Sequence, residues 1–494
     1  ATALALRRVT VEYLSGHTDR GRALFDQLMQ HLSSSAERLT ACAMRVRLEL
    51  DCGRPALAIQ CGLAGLRSVG VSFPNRISRR HLAREAAWLR IYQGRQAIID
   101  FSRLPLVRDG DRKALMELLG ALLPAAHLSD NRLYGLLILR LVRLSLRHGL
   151  SEQSIAAFGS LGALLAGHLH QFQRAHALME VAKQLNTRLA EGRLNCRLHF
   201  QCGALIKPWI RPLTEAEDEL AAALDAGRVS GDITYGAYAG AHLMAMRLYR
   251  GQDLASVQDS IAELLGDILY QQHRDAAATL DVLHRYCRAL RDRPGDPITP
   301  WRSSGAAPER PSAPLSRYCH ALCGAELHYL VGDYPRAWAL SRLAERHSGA
   351  AFSTVLTAQH RLVDALIAAQ RASSGRAVHR RQRRALVRTV RTTLATLRAF
   401  ALSCPETYES FYALVCGEHA RLAGDLDTAE SWYQVARTAA HRQGAEQRAA
   451  IAWQLSAAVW RQRGRHDTAR ECERRAGAAY RSWGAVALVP AIRR

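Results

Sequence analysis

Apolar positions recur along this chain with a period close to that of an α-helix, and the pattern is clearest over its last ninety or so residues. An apolar stripe over 411–422 ends at Gly424-Asp425, and Thr428-Ala429-Glu430-Ser431-Trp432-Tyr433 starts a second that runs to about Gly444. The same order returns as 451–462, a turn at Gly464-Arg465-His466-Asp467, and 468–480. Two helices joined in this way expose an apolar face that neither covers alone. Small residues such as Ala420, Ala429, Ala436, Ala458 and Ala469 let neighbouring hairpins approach until stacking covers it. Small and large residues at helical spacing about such turns are the tetratricopeptide signature. The expected fold is all-α, a right-handed α-solenoid of tetratricopeptide-like helical hairpins.

Earlier hairpins follow the same logic. Helices are expected over 4–14 and 20–32, with Asp19 as a cap, then over 36–50 and 56–69, with Pro55 in a first helical turn and Gly70 in the left-handed position after the last. Further helices are expected over 77–93, 112–122, 131–147, from the Ser151 cap to 165, and over 172–191 and 193–205. Lys207-Pro208-Trp209-Ile210-Arg211-Pro212-Leu213 interrupts them, because two prolines forbid a continuous helix. Thr214 with Glu217 reads as a capping box, and Ser230-Gly231-Asp232 opens a helix over 235–250. The prolines, glycines and serines between 293 and 314 predict a linker or long loop. It separates an N-terminal helical-repeat region, 1–292, from a C-terminal tetratricopeptide-repeat region, 315–494. The chain begins in mid-helix at Ala1-Thr2-Ala3-Leu4, as though cut from something longer.

Several stretches, in order, resemble one family. They are Glu12-Tyr13-Leu14-Ser15-Gly16 with Ala23-Leu24-Phe25; Gly62-Leu63 to Leu66 with Gly70-Val71; Ser129-Asp130; Ser145-Leu146-Arg147-His148-Gly149; and Lys207 to Leu213. Gly231-Asp232 with Tyr235 and Tyr238, Cys404-Pro405-Glu406, and Ser482-Trp483-Gly484-Ala485 complete the set. Together they resemble the helical-repeat region of large bacterial signalling proteins in which a STAND-type AAA ATPase module precedes the repeats, many with an upstream serine/threonine kinase and a downstream histidine kinase. The resemblance implies a scaffold and sensor role and assigns no catalytic residue to the repeats. The chain departs from those proteins in having no Walker motif, no kinase motif and no histidine-kinase output.

Composition adds a strong charge. The formal net charge of +23 suggests nucleic acid as a partner, but most arginines are scattered along helices beside Asp and Glu. One run is dense: Arg380, Arg381, Arg383 and Arg384, continued by Arg388 and Arg391. If functional, it would contact acidic protein or phosphate. Most cysteines lie in apolar stripes without the spacing of a secreted disulfide framework, which points to a cytoplasmic protein with reduced core thiols. No stretch reaches the length of uninterrupted apolar residues that a membrane span needs.

Candidate chemistry is sparse. Cys196, His199 and Cys202, and Cys319, His320 and Cys323, each lack a fourth tetrahedral zinc ligand nearby, so neither metal nor cofactor is assigned. His168, His170 and His176 surround a turn. No Ser-His-Asp or Cys-His set can be assembled from sequence, and no catalytic residue is assigned. Tyr235, Tyr238, His242 and Met246 share one helix face, with Arg247 beside it and Trp209 and Arg211 one helix upstream. This set is the candidate groove for a partner or ligand, or else the filling between repeats.

The expected function is a non-catalytic interaction and sensing scaffold of a bacterial regulatory ATPase system, binding a protein or peptide on its concave face. A free-standing enzyme or small-molecule binder with an interior pocket is one alternative, and a basic nucleic-acid-binding regulator is another.

Overall fold

The computed structural model describes residues 2–52, 54–74, 76–93, 98–270, 273–292, 298–303, 314–373 and 379–489. Among them there are helices and no strand. The nearest approach to a sheet is a single parallel bridge, Leu106 to Leu150, where the Leu150 amide donates to Pro105 O at 2.8 Å and the Val107 amide to Leu150 O at 2.9 Å. The all-α architecture and its stacked hairpins are as the sequence leads one to expect.

The chain forms two compact units. One comprises Ala1–Leu165 with Arg174–Leu194, the other Ala166–Gln173 with Asn195–Arg494. Both sides of the proline-rich stretch at 293–314 belong to the second unit. Most of that stretch lies outside the described residues, but Ile298–Ser303 is a short helix whose Trp301 is buried, stacked on His320 at 4.8 Å.

The first unit contains α1 (Thr2–Leu14), α2 (Thr18–His31), α3 (Ser35–Asp51), α4 (Pro55–Ser68), α5 (Arg79–Gln93), α6 (Gly110–Ser129) and α7 (Asn131–His148), with most of α8 (Glu152–Leu169) and α9 (Phe172–Ala190). α6 continues past the expected stop at 122 and takes in Pro124. Leu122, Leu123, Ala125 and Ala126 are all buried there, so packing outweighs the hydrogen bond that proline cannot donate. Glu49 is fully buried on α3. It accepts from Tyr13 Oη at 2.7 Å and pairs with Arg22 at 3.1 Å and Arg54 at 3.0 Å, which tie it to neighbouring segments. These partners outweigh burial and hold its carboxyl below the usual range.

The second unit opens with α10 (Asn195–Gln201), a π-helical turn (Cys202–Ile206) and a 3₁₀ turn (Lys207–Trp209), which together break the helix expected over 193–205. It continues with α11 (Leu213–Ser230), α12 (Ile233–Arg250), α13 (Leu254–Tyr270), α14 (Arg274–Arg291), α15 (Ile298–Ser303), α16 (Pro314–Leu330), α17 (Tyr334–Arg346), α18 (Val355–Ser373), α19 (Arg380–Ser403), α20 (Pro405–Ala423), α21 (Leu426–Arg442), α22 (Glu446–Gln462) and α23 (His466–Trp483). Asp232, Asp333 and Asp425 each accept from the amide three residues on, so the Gly-Asp turns cap their helices as their sequence suggests. The expected Thr214–Glu217 box is absent. α11 begins two residues earlier, with Pro212 at its N-cap, and Glu217 instead pairs with Arg250 at 2.6 Å.

Successive even-numbered helices from α12 to α22 pack on one another as the inner layer of this unit. Gly417 shows how closely its neighbours approach: a Cβ there would stand 2.3 Å from the Tyr433 ring. The inner layer curls until its ends meet. Both Arg448 and Gln447, at the start of α22, donate to Tyr249 O near the end of α12, at 2.7 and 3.2 Å.

Candidate functional site

The stripe on α12 is covered by its neighbours. Phe200 of α10 lies over it, 5.7 Å from Tyr235, 6.3 Å from Tyr238 and 5.6 Å from His242, and Tyr238 meets His273 edge-on at 5.0 Å. Met246 and His242 are buried, and burial pushes His242 down to about 4 and Tyr238 up to about 12. His242 is therefore a neutral core histidine at physiological pH. Arg247 leans on Glu217 at 3.7 Å and Arg211 on Glu215 at 4.0 Å.

Trp209 lies apart from that stripe, at the centre of an aromatic cluster. Its ring packs on Phe400 at 4.6 Å, Tyr408 at 5.6 Å and Phe172 at 5.7 Å, and its Nε1 donates to Leu205 O and to Ser353 O. Cys404 donates to Arg211 O at 3.2 Å on the same side. Of the seven residues, the structure brings Tyr235, Tyr238 and His242 together under Phe200 and places Trp209 in a separate core.

The histidine and cysteine clusters are engaged within the fold. His199 meets Glu219 at 2.6 Å, and Lys207 takes the other oxygen at 2.8 Å. Cys196 turns to Asp232 O, and burial raises its thiol to about 12. Cys319 is buried with its thiol at about 12, while His320 points to Trp301. Among the described residues no group of three or more His, Cys, Asp or Glu is placed to hold a metal ion. His168 packs on Phe352 at 4.5 Å, and His170, at φ 51°, on Phe400 at 5.5 Å. Sheltering lowers the pKa of both.

One arrangement has no local signal in the sequence. Ser341 Oγ lies 3.1 Å from His360 Nε2, and His360 Nδ1 is 3.9 Å from Glu345, an order that mimics a hydrolytic triad. Ser341, however, donates to Asp364 at 2.7 Å, and Ser341, His360 and Asp364 are all buried. A hydroxyl whose proton is held by a carboxylate, in a site closed to solvent, is a fastening between α17 and α18.

Buried polar side chains bridge the inner layer of the second unit. Glu326, buried on α16, accepts from Gln359 Nε2 at 2.9 Å, and desolvation raises its carboxyl to about 7 against the opposing effects of Tyr286, Gln359 and Arg448. Arg448 is wholly buried, bonded to Ser410 Oγ at 2.9 Å with its guanidinium 4.5 Å from the Phe411 ring centroid. Burial lowers its pKa to about 9.

Open space is found in both units, in the second a small cleft of about 220 Å³ beside Pro405, Glu406, Glu409, Arg442 and Gln443. In the first unit α2, α3 and α4 line a cleft of about 410 Å³, with Phe25, Met29, Leu57 and Cys61 as apolar walls. Arg45 reaches across it to Asp26 at 2.9 Å and lies 4.7 Å over Phe25, with its Nε lacking a hydrogen-bond partner among the described residues.

No family model and no curated protein matches the chain. Two solved structures resemble it in its helical repeats. One is a crystal structure of the P58(IPK) TPR domain, 12% identical, covering 94% of this chain and 99% of that one, with a TM-score of 0.25. The other is a circular tandem repeat protein with novel repeat topology and enhanced subunit contact surfaces, 13% identical, covering 100% and 95%, with a TM-score of 0.15. Superpositions this loose add nothing to the hairpins described above. Among the described residues no helix is long and apolar enough to cross a membrane.

Proposed function

We propose that the protein is a non-catalytic interaction and sensing scaffold that binds a protein partner or peptide through the cleft between α2, α3 and α4. The observation that carries this is the contrast between the two inner environments. The even-numbered helices of the second unit are interlocked by buried Glu326, Arg448 and Tyr249, whose partners come from those same helices. The α2–α4 cleft, by contrast, offers apolar walls crossed by Arg45, whose guanidinium is held by Asp26. Apolar walls with a few fixed polar groups are what recognition of a peptide side chain needs. The ordered stretches resembling the repeats of STAND-type ATPases support placing this scaffold in a bacterial signalling system, where partner binding would be passed to an attached ATPase or kinase.

The test is selection from a random peptide library displayed on phage, followed by titration of the enriched peptides against the parent chain and Met29→Arg and Arg45→Glu variants. Binding that both variants weaken at least tenfold, with unchanged circular dichroism, supports the cleft. Enriched peptides that bind the variants as tightly as the parent, or no enrichment over a scrambled library, contradict it.

A further inference from the structure

We propose that the outer face of α19 is a binding surface for the phosphate backbone of a nucleic-acid duplex. This goes beyond the peptide-binding reading and rests on a different unit of the chain. The 24 residues of α19 contain seven arginines and no acidic residue. At about 100° per residue, Arg380, Arg384, Arg388, Arg391 and Arg398 fall on one narrow stripe. All five are exposed. The buried positions Leu386, Val390, Thr393, Leu397 and Phe400 lie on the opposite side, so packing holds the arginine stripe outward. From Arg380 to Arg398 the stripe runs about 27 Å, close to the rise of about eight base pairs.

What sets α19 apart is the absence of compensation. On α23, Arg470 pairs with Asp467, Arg474 and Arg475 with Glu471, and Glu473 takes Arg461 from α22. Those arginines belong to a surface that neutralises itself. None of the five stripe arginines has an ion-pair partner among the described residues, and their nearest relative on the helix, Arg383, is turned back to Ala372 O at 3.3 Å. Five like charges held side by side repel one another, and that repulsion is relieved by a polyanion.

The chemistry of the face selects among polyanions. A protein partner would need an apolar or aromatic centre, and an anionic membrane would need large apolar residues beside the charges. Within and beside the stripe stand half-buried Val387 and exposed Ala385, Thr392 and Ala395, with exposed Leu402 in line at its far end, a single large exposed apolar group. Single strands are held by stacking on rows of aromatic rings, and α19 itself carries none on this stripe. A face dominated by guanidinium groups fits the regular phosphates of a duplex, read without regard to base sequence.

The experiment is fluorescence anisotropy of a labelled mixed-sequence DNA duplex titrated with the full chain from 50 to 200 mM salt. About five phosphate contacts give a slope of log affinity on log salt near −4.5, a loss of roughly 500-fold over that range. Arg384→Gln/Arg388→Gln/Arg391→Gln should reduce the slope to near −1.8 and the loss to about 12-fold. Arg470→Gln/Arg474→Gln/Arg475→Gln on α23 should leave the slope as in the parent. Circular dichroism on both variants separates loss of the surface from loss of the fold. The inference is overturned if the α19 variant keeps the parent slope, if the α23 variant loses as much, or if poly-glutamate or phosphatidylglycerol vesicles bind through α19 more tightly than the duplex.

Discussion

Arg448 donates its guanidinium Nη1 to the carbonyl oxygen of Tyr249 at 2.7 Å, across 199 positions of sequence. This contact joins the start of α22 to the end of α12, and it closes the inner layer of the second unit on itself. A buried cation is costly to desolvate, and here the cost is offset by the Tyr249 carbonyl, Ser410 Oγ and the Phe411 ring.

Arg448→Met should therefore destabilise the fold even though it removes a buried charge, because it leaves Ser410 without its donor and weakens the join between α12 and α22. The expected loss is about 2–4 kcal/mol, read from the urea transition by circular dichroism. A variant as stable as the parent would show that the charge costs as much as its contacts contribute.

Glu326 and His242 should pull the pH dependence of stability in opposite directions. Burial raises the Glu326 carboxyl from 4.5 to about 7, so between those values the folded chain keeps a proton that the unfolded chain releases, and stability falls as pH rises. Burial lowers His242 from 6.5 to about 4, so there the unfolded chain takes up a proton that the folded chain refuses, and stability falls as pH drops. Each effect is on the order of 3 kcal/mol. Relative to the parent, Glu326→Gln should lose stability more steeply between pH 6.5 and 4.5, and His242→Leu should gain it. Urea unfolding of both variants at pH 5 and pH 8 checks the signs.

Trp209 should behave as a core residue. Trp209→Phe keeps most of the ring packing but removes the bonds to Leu205 O and Ser353 O, at an expected cost of about 1–2 kcal/mol. Trp209→Ala opens a cavity among Phe172, Phe400 and Tyr408 and should cost about 3–5 kcal/mol. Thermal unfolding of the two variants measures the difference, and peptide binding at the α2–α4 cleft should be unchanged by the first.

Gly417→Ala tests the hairpin contact itself. The added methyl would meet the Tyr433 ring at 2.3 Å, and that ring is fixed because its hydroxyl donates to buried Glu418 at 2.5 Å. Overpacking of this kind should cost about 1–3 kcal/mol in the same assay.

The hairpins were legible because their causes are local. A glycine at positive φ followed by a capping aspartate marks the turn at Gly231-Asp232 and Gly424-Asp425, and each is found where the sequence places it. The helix through Pro124 was not legible, since burial of its neighbours overrides a local breaker. Nor could the helical spacing of Tyr235, Tyr238 and His242 reveal what covers them: Phe200 reaches that face from α10 through tertiary packing. The joining of Arg448 to Tyr249, and of Ser341 to His360, depends on contacts between helices that leave no mark on either segment alone.

The most direct test of the closed inner layer is native-state hydrogen exchange on the parent and on Arg448→Met. If α12 and α22 are joined as described, their slowest amides open with a common free energy, and the substitution lowers both by the same amount. Slow amides in α12 that keep the parent's protection while those of α22 lose theirs would contradict the account.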